Sequence, residues 1–428
     1  MVDKNGPNRI RVLKLDPKTR LTLDVALANN KIPAHETTSS MAARHHAIAA
    51  INGDYTLVPS DPGAGRPIDL FAEDGNLVTS PLIWGRNFSL SADETTPHIG
   101  HAPLSVTIAK KDGTVLEVPS WNEQNPKPSA LAGYTPAGGS TFAPPSSGCE
   151  VRLLPRTKRS WAQGKLGVKR SYTVDAARCS SSGGLARKNG VVIAAKTRTT
   201  AADGLMSALL PGDQVSLTWS MGVADVLDTV GGNPSLLEDG VVTVGSCSGS
   251  YFCDRNPRTG IGYTSTGKIL MVTVDGRQDS SVGMTLMEFT RLFQRLGAVS
   301  ALNLDGGGST TMWVKGKLVN KPAQDPERPV GSSILVLPGP DRGETAPLPY
   351  KASLTGSVAP RSLTPTSDAG SMAPCLGLRD PGSTGGFLDA MASGALGPHQ
   401  QLSSTLRDAV DVFRGRSTCS AFRRATRS

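Results

Sequence analysis

Two acidic residues stand directly before glycine at the ends of apolar runs, in Asp275-Gly276-Arg277 and in Asp305-Gly306-Gly307-Gly308-Ser309-Thr310-Thr311. Carboxylates act as nucleophiles or as acids and bases. An arginine beside them favours an anionic substrate through charge-assisted hydrogen bonds. Three successive glycines let the backbone turn so that its N–H groups converge on an anion, and Asn303 adds an amide two residues before Asp305. The segment is not the phosphate loop of nucleotide hydrolases, because the GxxxxGK[ST] spacing is missing and no lysine follows the glycines. Alone, the triple glycine reads first as a tight turn. Together with the acid, the amide and three hydroxyls, it reads as a site.

The elements that must position these groups follow from periodicity. Residues 268–275 (KILMVTVD) form an apolar, β-branched run suited to a strand buried on both faces. Leu286, Phe289, Phe293 and Leu296 then repeat at helical spacing over 285–296, and VSALNLD (299–305) is a second buried strand. Strand, helix, strand at this length predicts a right-handed crossover between parallel strands. Two parallel neighbours would bring Asp275, Arg277, Asn303 and Asp305 to one rim, beyond the carboxyl ends where open α/β sheets bind ligands. Thr285 and Glu288 have capping-box spacing, so Glu288 reads first as the capping acid; its closeness to the Asp275 end makes the pocket its alternative. Asn52-Gly53-Asp54 follow the apolar AIAAI and give either a third acid at a strand end or a plain turn. Arg258 either braces a loop or joins the site. Upstream, 9–28 alternates as two strands, Thr38-Ser39-Ser40 offers an N-cap, and GRPIDLFAEDGNLV reads as a hairpin. A second hairpin turns at Lys315-Gly316, SSILVL is a last strand, and the Pro/Gly/Ser-rich stretch 127–148 is a loop or internal linker.

The fold class expected is therefore α/β (α+β-like): a mixed sheet with packed helices in one large catalytic domain, residues 1–340. Residues 341–428 read as a Pro/Gly/Ser-rich linker and basic tail, largely disordered. The 428 residues carry 45 basic and 36 acidic side chains, a net +9. Residues 338–428 hold ten basic and seven acidic of these, so +3 lies outside the catalytic unit. The remainder suits an anionic glycan, a sugar-phosphodiester or a cell-wall polymer better than nucleic acid, for which no recognition motif exists and only 5% of residues are aromatic. No apolar run is long enough to span a membrane. The six cysteines lack metal-knuckle spacing; Cys247 with Cys253, and Cys149 with Cys179, are disulfide candidates of an oxidising compartment. That points to a secreted or cell-envelope protein, whose signal segment would be removed or lie upstream, since the first residues hold no apolar signal core. No metal or cofactor motif is visible, although oxygen-rich loops could hold calcium.

The stretch from NPRTGIGYTSTGKILMVTVDGR through LNLDGGGSTTMWVKGKLVN, with ERPVGSSILVL after it, resembles the phosphodiester glycosidase family. TTSSMAARHHAIAAINGDY and VGGNPSLLEDG resemble its earlier motifs, so the likeness spreads over residues 10–337. It implies hydrolysis between a sugar's anomeric carbon and a phosphate esterified to a second alcohol. In that chemistry Asp305 would be nucleophile or base and Asp275 the second carboxylate. Arg277, Arg258 and the N–H groups of Gly306, Gly307 and Gly308 would hold the phosphate. Asn303, Ser309 and Thr310 would orient oxygens, with Asn52, Asp54 and Glu288 as further binding candidates. Two rivals remain at this point: attack on ordinary glycosidic bonds of exopolysaccharide or cell-wall glycan, and a non-catalytic glycan or sugar-phosphate binding module.

Overall fold

The computed structural model describes residues 2–339 apart from 4, 58–62, 84, 102, 124–125, 128, 140–147, 157–166, 181–184, 186–189, 197–198, 224–225 and 246–249. The expected linker and tail at 341–428, and Cys247, lie outside the described residues.

Among the described residues strand makes up 46% and helix 12%, so the α/β expectation holds only loosely. Short apolar runs broken by Gly, Pro and Asp-Gly turns favour hairpins over crossovers. Ser120–Trp121 with Ala132–Tyr134 is the one parallel ladder among the described strands. The elements around the site are β1 (Ile10–Leu15), β2 (Leu21–Leu27), α1 (Thr38–Arg44), β3 (Ala49–Asn52), β4 (Arg258–Thr264), β5 (Ile269–Val274), α2 (Leu286–Arg295), β6 (Ala298–Asn303), β7 (Met312–Val314) and β8 (Ser332–Pro338).

A six-stranded sheet runs Val241–Val242, Ser235–Glu238, β6, β4, β5, β1. Since β4 is antiparallel to both β5 and β6, those two run parallel to each other. The predicted crossover through α2 is present, but its strands are not neighbours: β4 lies between them. The RTGIG sequence of β4 explains the insertion. A Cβ on Gly260 would meet Phe289 at 2.8 Å, and one on Gly262 would meet Phe293 at 3.0 Å. Only a strand without side chains at those two positions fits beneath α2.

Both faces of β5 are covered, which is why its sequence is continuously apolar. Ile269 and Met271 face a core shared with the second, five-stranded sheet of Lys317–Leu318, β7, β3, β8 and β2. Leu270, Val272 and Val274 pack with Phe289 and Phe293 of α2. Each such buried side chain contributes about 1.5–3 kcal/mol. At the start of α2 the capping box is complete, with Thr285 accepting from Glu288 N and Glu288 accepting from Thr285 N. The N-cap of α1 is Thr37, one residue before the expected trio, and its hydroxyl accepts from Ser40 N. The hairpins at Asp74-Gly75 and Lys315-Gly316 form as expected.

A separate eight-stranded sheet, with the helix Thr200–Ala208, has its own core around Trp121, Val151, Tyr172, Ile193, Leu217 and Trp219. Cys149 and Cys179 face each other on adjacent antiparallel strands and are bonded. The supposed linker at 127–148 supplies a strand of this sheet, Ala132–Tyr134, fully buried. Small residues there let the chain lie against Trp121: a Cβ on Gly133 would come within 2.1 Å of the indole. Cys253 is also disulfide-bonded.

Candidate active site

With β5 and β6 parallel and β4 reversed between them, Asp275, Asp305 and Arg258 all reach one rim of the six-stranded sheet. A cleft opens there to solvent. From the predicted set it is lined by Asp305, Arg277, Arg258 and Gly306 to Gly308. Tyr55, Phe252, Asn256 and Arg328 complete the wall.

Asp305 is the carboxylate of this cleft. Its main chain is locked by Asn52, whose Nδ2 donates to Asp305 O at 2.7 Å, and by Gly53 O, which accepts from Asp305 N at 3.2 Å. Its Oδ1 accepts from Gly306 N at 2.9 Å. Burial pushes the acid up to about 6, against the opposing pull of the Ser309 hydroxyl, Arg328, the Gly306 N–H and Arg277. Just above that pH it is ionised yet still basic enough to take a proton or attack carbon.

Two of the three glycine N–H groups expected to form an anion nest have partners within the protein. Gly306 N–H points to Asp305, Gly307 N–H to Pro257 O at 2.9 Å, Ser309 N–H to Gly306 O at 3.1 Å and Thr310 N–H to Gly307 O at 3.3 Å. These donors are engaged by the turn itself and by Pro257. What the missing side chains provide is room for two guanidinium groups. A Cβ on Gly307 would meet Arg277 Nη2 at 2.9 Å, and one on Gly308 would meet Arg328 Nη2 at 2.4 Å. Gly307 also has φ +59°, a left-handed turn that glycine adopts without penalty.

Arg277 is itself left-handed at φ 59°, a conformation that costs a non-glycine residue about 1–3 kcal/mol and persists where the surroundings fix it. Asn256 Oδ1 does so, accepting from Arg277 Nε at 3.1 Å and Nη2 at 2.8 Å, while the Tyr251 ring lies 4.8 Å from the guanidinium carbon. On the other side, Arg328 donates from Nε to Gln324 Oε1 at 2.6 Å, with Nη1 3.5 Å from Ser309 Oγ.

Other predicted residues support the cleft from outside it. Asn303 is buried beneath, its Nδ2 donating to Tyr55 Oη at 2.6 Å, to Asn233 O at 2.8 Å and to Leu304 O at 3.0 Å. Asn52 clamps the Asp305 turn, also accepting from Thr259 Oγ1 at 2.8 Å and Thr311 N at 3.1 Å. Arg258 faces the cleft, but its guanidinium braces a loop by donating to Met284 O, Phe252 O and Asp254 O. Thr310 is fully buried and does not line the wall. Asp54 is fully buried too, accepting from the N–H of Tyr55 and of Asp69. Burial and the Asp69 carboxylate raise it well above the ordinary range.

Two expectations need correction. Asp275 does not line the cleft: its carboxylate accepts from Lys321 N at 3.1 Å and Asn320 Nδ2 at 3.2 Å. Burial raises it, those bonds opposing. Glu288 stays with its capping box and pairs with Arg255, away from the wall. The residues missed were Arg328, Asn256, Tyr55 and Phe252. The signal for Arg328 was the charged pair in ERPV, just before a buried strand. Among the described residues, no group of three or more His, Cys, Asp or Glu is arranged to hold a metal ion.

Comparison with known proteins bears on this site directly. Residues 164–337 match the family model described as phosphodiester glycosidase. They form the later part of the 10–337 stretch that carries the resemblance. Human N-acetylglucosamine-1-phosphodiester alpha-N-acetylglucosaminidase is 26% identical over 174 residues, 34% of this chain and 33% of that one. A prophage-derived uncharacterised protein of Bacillus subtilis is 38% identical over 82 residues, 19% of this chain and 13% of that one. The chain thus spans a third or less of the curated relatives it matches. In three dimensions, a protein of Burkholderia pseudomallei K96243 described as exported has a TM-score of 0.58 at 25% identity, covering 77% of this chain and 74% of its own. Residues 164–337, the part of the chain that holds Asp305, Arg277 and Arg328, are therefore the part that is similar to the phosphodiester glycosidase family.

Proposed function

We propose that the protein hydrolyses a glycosyl phosphodiester, breaking the bond from the anomeric carbon to the phosphate oxygen and releasing a free sugar and a phosphomonoester. The observation that carries this reading is one buried carboxylate, Asp305, flanked by two guanidinium groups seated on Gly307 and Gly308. The family match and the human relative's stated substrate support it. A catalytic unit of residues 1–340 belongs to the same proposal.

A phosphomonoester leaves well near neutral pH, because its second pKa is about 6. A general acid, needed when an alkoxide departs, matters less. One carboxylate in the cleft is then sufficient. Asp305 attacks the anomeric carbon or takes a proton from the attacking water. The electron pair of the breaking bond goes to the phosphate oxygen, and Arg277 and Arg328 stabilise the charge that develops there. The water supplies the sugar's new hydroxyl, and its other proton passes by way of Asp305 to the released phosphate or to solvent, which regenerates the carboxylate. We also place the protein outside the reducing cytoplasm: Cys149–Cys179 is bonded, and no helix of the described residues is long and apolar enough to cross a membrane. A cell-wall polymer bearing sugar phosphodiesters would fit that location.

The test is a matched panel of sugar phosphodiesters and neutral glycosides. Phosphomonoester should appear from the first set and no free sugar from the second. Cleavage of neutral glycosides alone would overturn the reading.

A further inference from the structure

Arg328 reaches the cleft from a segment without regular structure, between Leu318 and the start of β8. Gln324 and Ser309 meet its guanidinium, but no strand or helix register fixes the backbone that carries it. Two attachments to the entry of α1 do this. Glu36 and Val330 form an isolated antiparallel bridge, with N–H to O distances of 3.0 and 2.8 Å. Beside it, Glu327 accepts from Ser39 N at 3.0 Å through one oxygen and from Ser39 Oγ at 2.5 Å through the other. Consecutive side chains thus leave this strap on opposite sides, Glu327 onto α1 and Arg328 onto Gly308.

Resting on the glycosyl-phosphodiester reading, we propose that Glu327 is a positioning residue: its two-oxygen clasp on Ser39 holds Arg328 over the Gly308 turn, ready for the substrate phosphate. A long arginine on a free loop loses rotamer entropy each time it binds. Clasping the preceding residue removes part of that loss before substrate arrives. The role is distinct from catalysis, since Glu327 is not in the cleft wall.

The experiment combines substrate-independent and kinetic readouts on the full chain. Hydrogen exchange of the 321–331 segment should quicken in Glu327→Ala and be largely restored in Glu327→Gln, which keeps an acceptor for Ser39. With the methyl phosphodiester of N-acetylglucosamine 1-phosphate as probe, Glu327→Ala should raise KM about tenfold, the usual weight of one hydrogen bond to a charged group, with a smaller change in kcat. Added to Arg328→Ala, Glu327→Ala should cost nothing further, because the group it positions is gone. Unchanged exchange, or losses that simply multiply in the double variant, would overturn the proposal. If the native protein cleaves no phosphodiester while exchange responds as expected, the functional reading fails and the clasp stands.

Discussion

Asp275 and Asp305 look alike in sequence, each ending a buried strand and each followed by glycine. In the fold they share a rim and diverge completely in use. The hairpin after β7 returns across Asp275, and Asn320 with the Lys321 N–H occupies its carboxylate. At Asp305 the returning chain is a glycine turn, which covers the carboxyl enough to raise its pKa while leaving it open to the cleft. The comparison teaches that a strand-end acid becomes reactive or structural according to what folds back over it.

The largest expected difference lies between the two Asp-to-Asn variants. Asp305→Asn should lower kcat by about 10³-fold or more, the scale of removing a nucleophile or base. Asp275→Asn keeps an oxygen for the Lys321 N–H and should cost less than about tenfold, through a hydrogen bond of roughly 1 kcal/mol. Comparable losses at both positions would erase the distinction. Next in size is Gly308→Ala. The atoms its new methyl would meet first are the guanidinium end of Arg328, so kcat/KM should fall by about 10–100-fold, a loss on the scale of one charged hydrogen bond, while melting temperature stays nearly unchanged.

The pH dependence sharpens the contrast further. With Asp305 at about 6, kcat/KM should rise with pH and level off above that value, because the ionised form does the work. The smallest effect concerns stability. The folded value, about 6, lies above the ordinary 3.8, so the folded protein holds more protons than the unfolded chain between those values. Stability contributed by this group therefore falls as pH rises through that window. Asp305→Asn should escape the fall and be more stable at pH 7, by up to about 3 kcal/mol, as denaturant unfolding at pH 4 and pH 7 would show. A variant less stable than native at pH 7 would contradict the buried-carboxylate assignment.

Much of the local structure was legible in the residues. The continuous apolar run of β5, the helical spacing of Phe289 and Phe293, and the Thr285–Glu288 pair each encode an element through short-range physics, and each formed where expected. The Asp305 turn and Arg277 were legible as chemistry for the same reason, since residue type and neighbours suffice to suggest an anion site. Reading 127–148 as a loop or internal linker missed the short strand Ala132–Tyr134, because Pro, Gly and Ser also occur where a strand must pass close to a large ring, as this one does beside Trp121.

What sequence alone determined, then, are the local elements around the site, the glycine turn and two strand-end carboxylates with an arginine near one of them. These depend on contacts a few residues apart. Which acid of the two lines the cleft, that the glycines make room for two guanidinium groups, and that Arg328 arrives from a strap attached to α1 were decided only in three dimensions. Those outcomes depend on partners far away along the chain, Asp275 on Asn320 and Glu327 on Ser39. No local pattern records such pairings, because the energy that selects them exists only once both segments have been brought together.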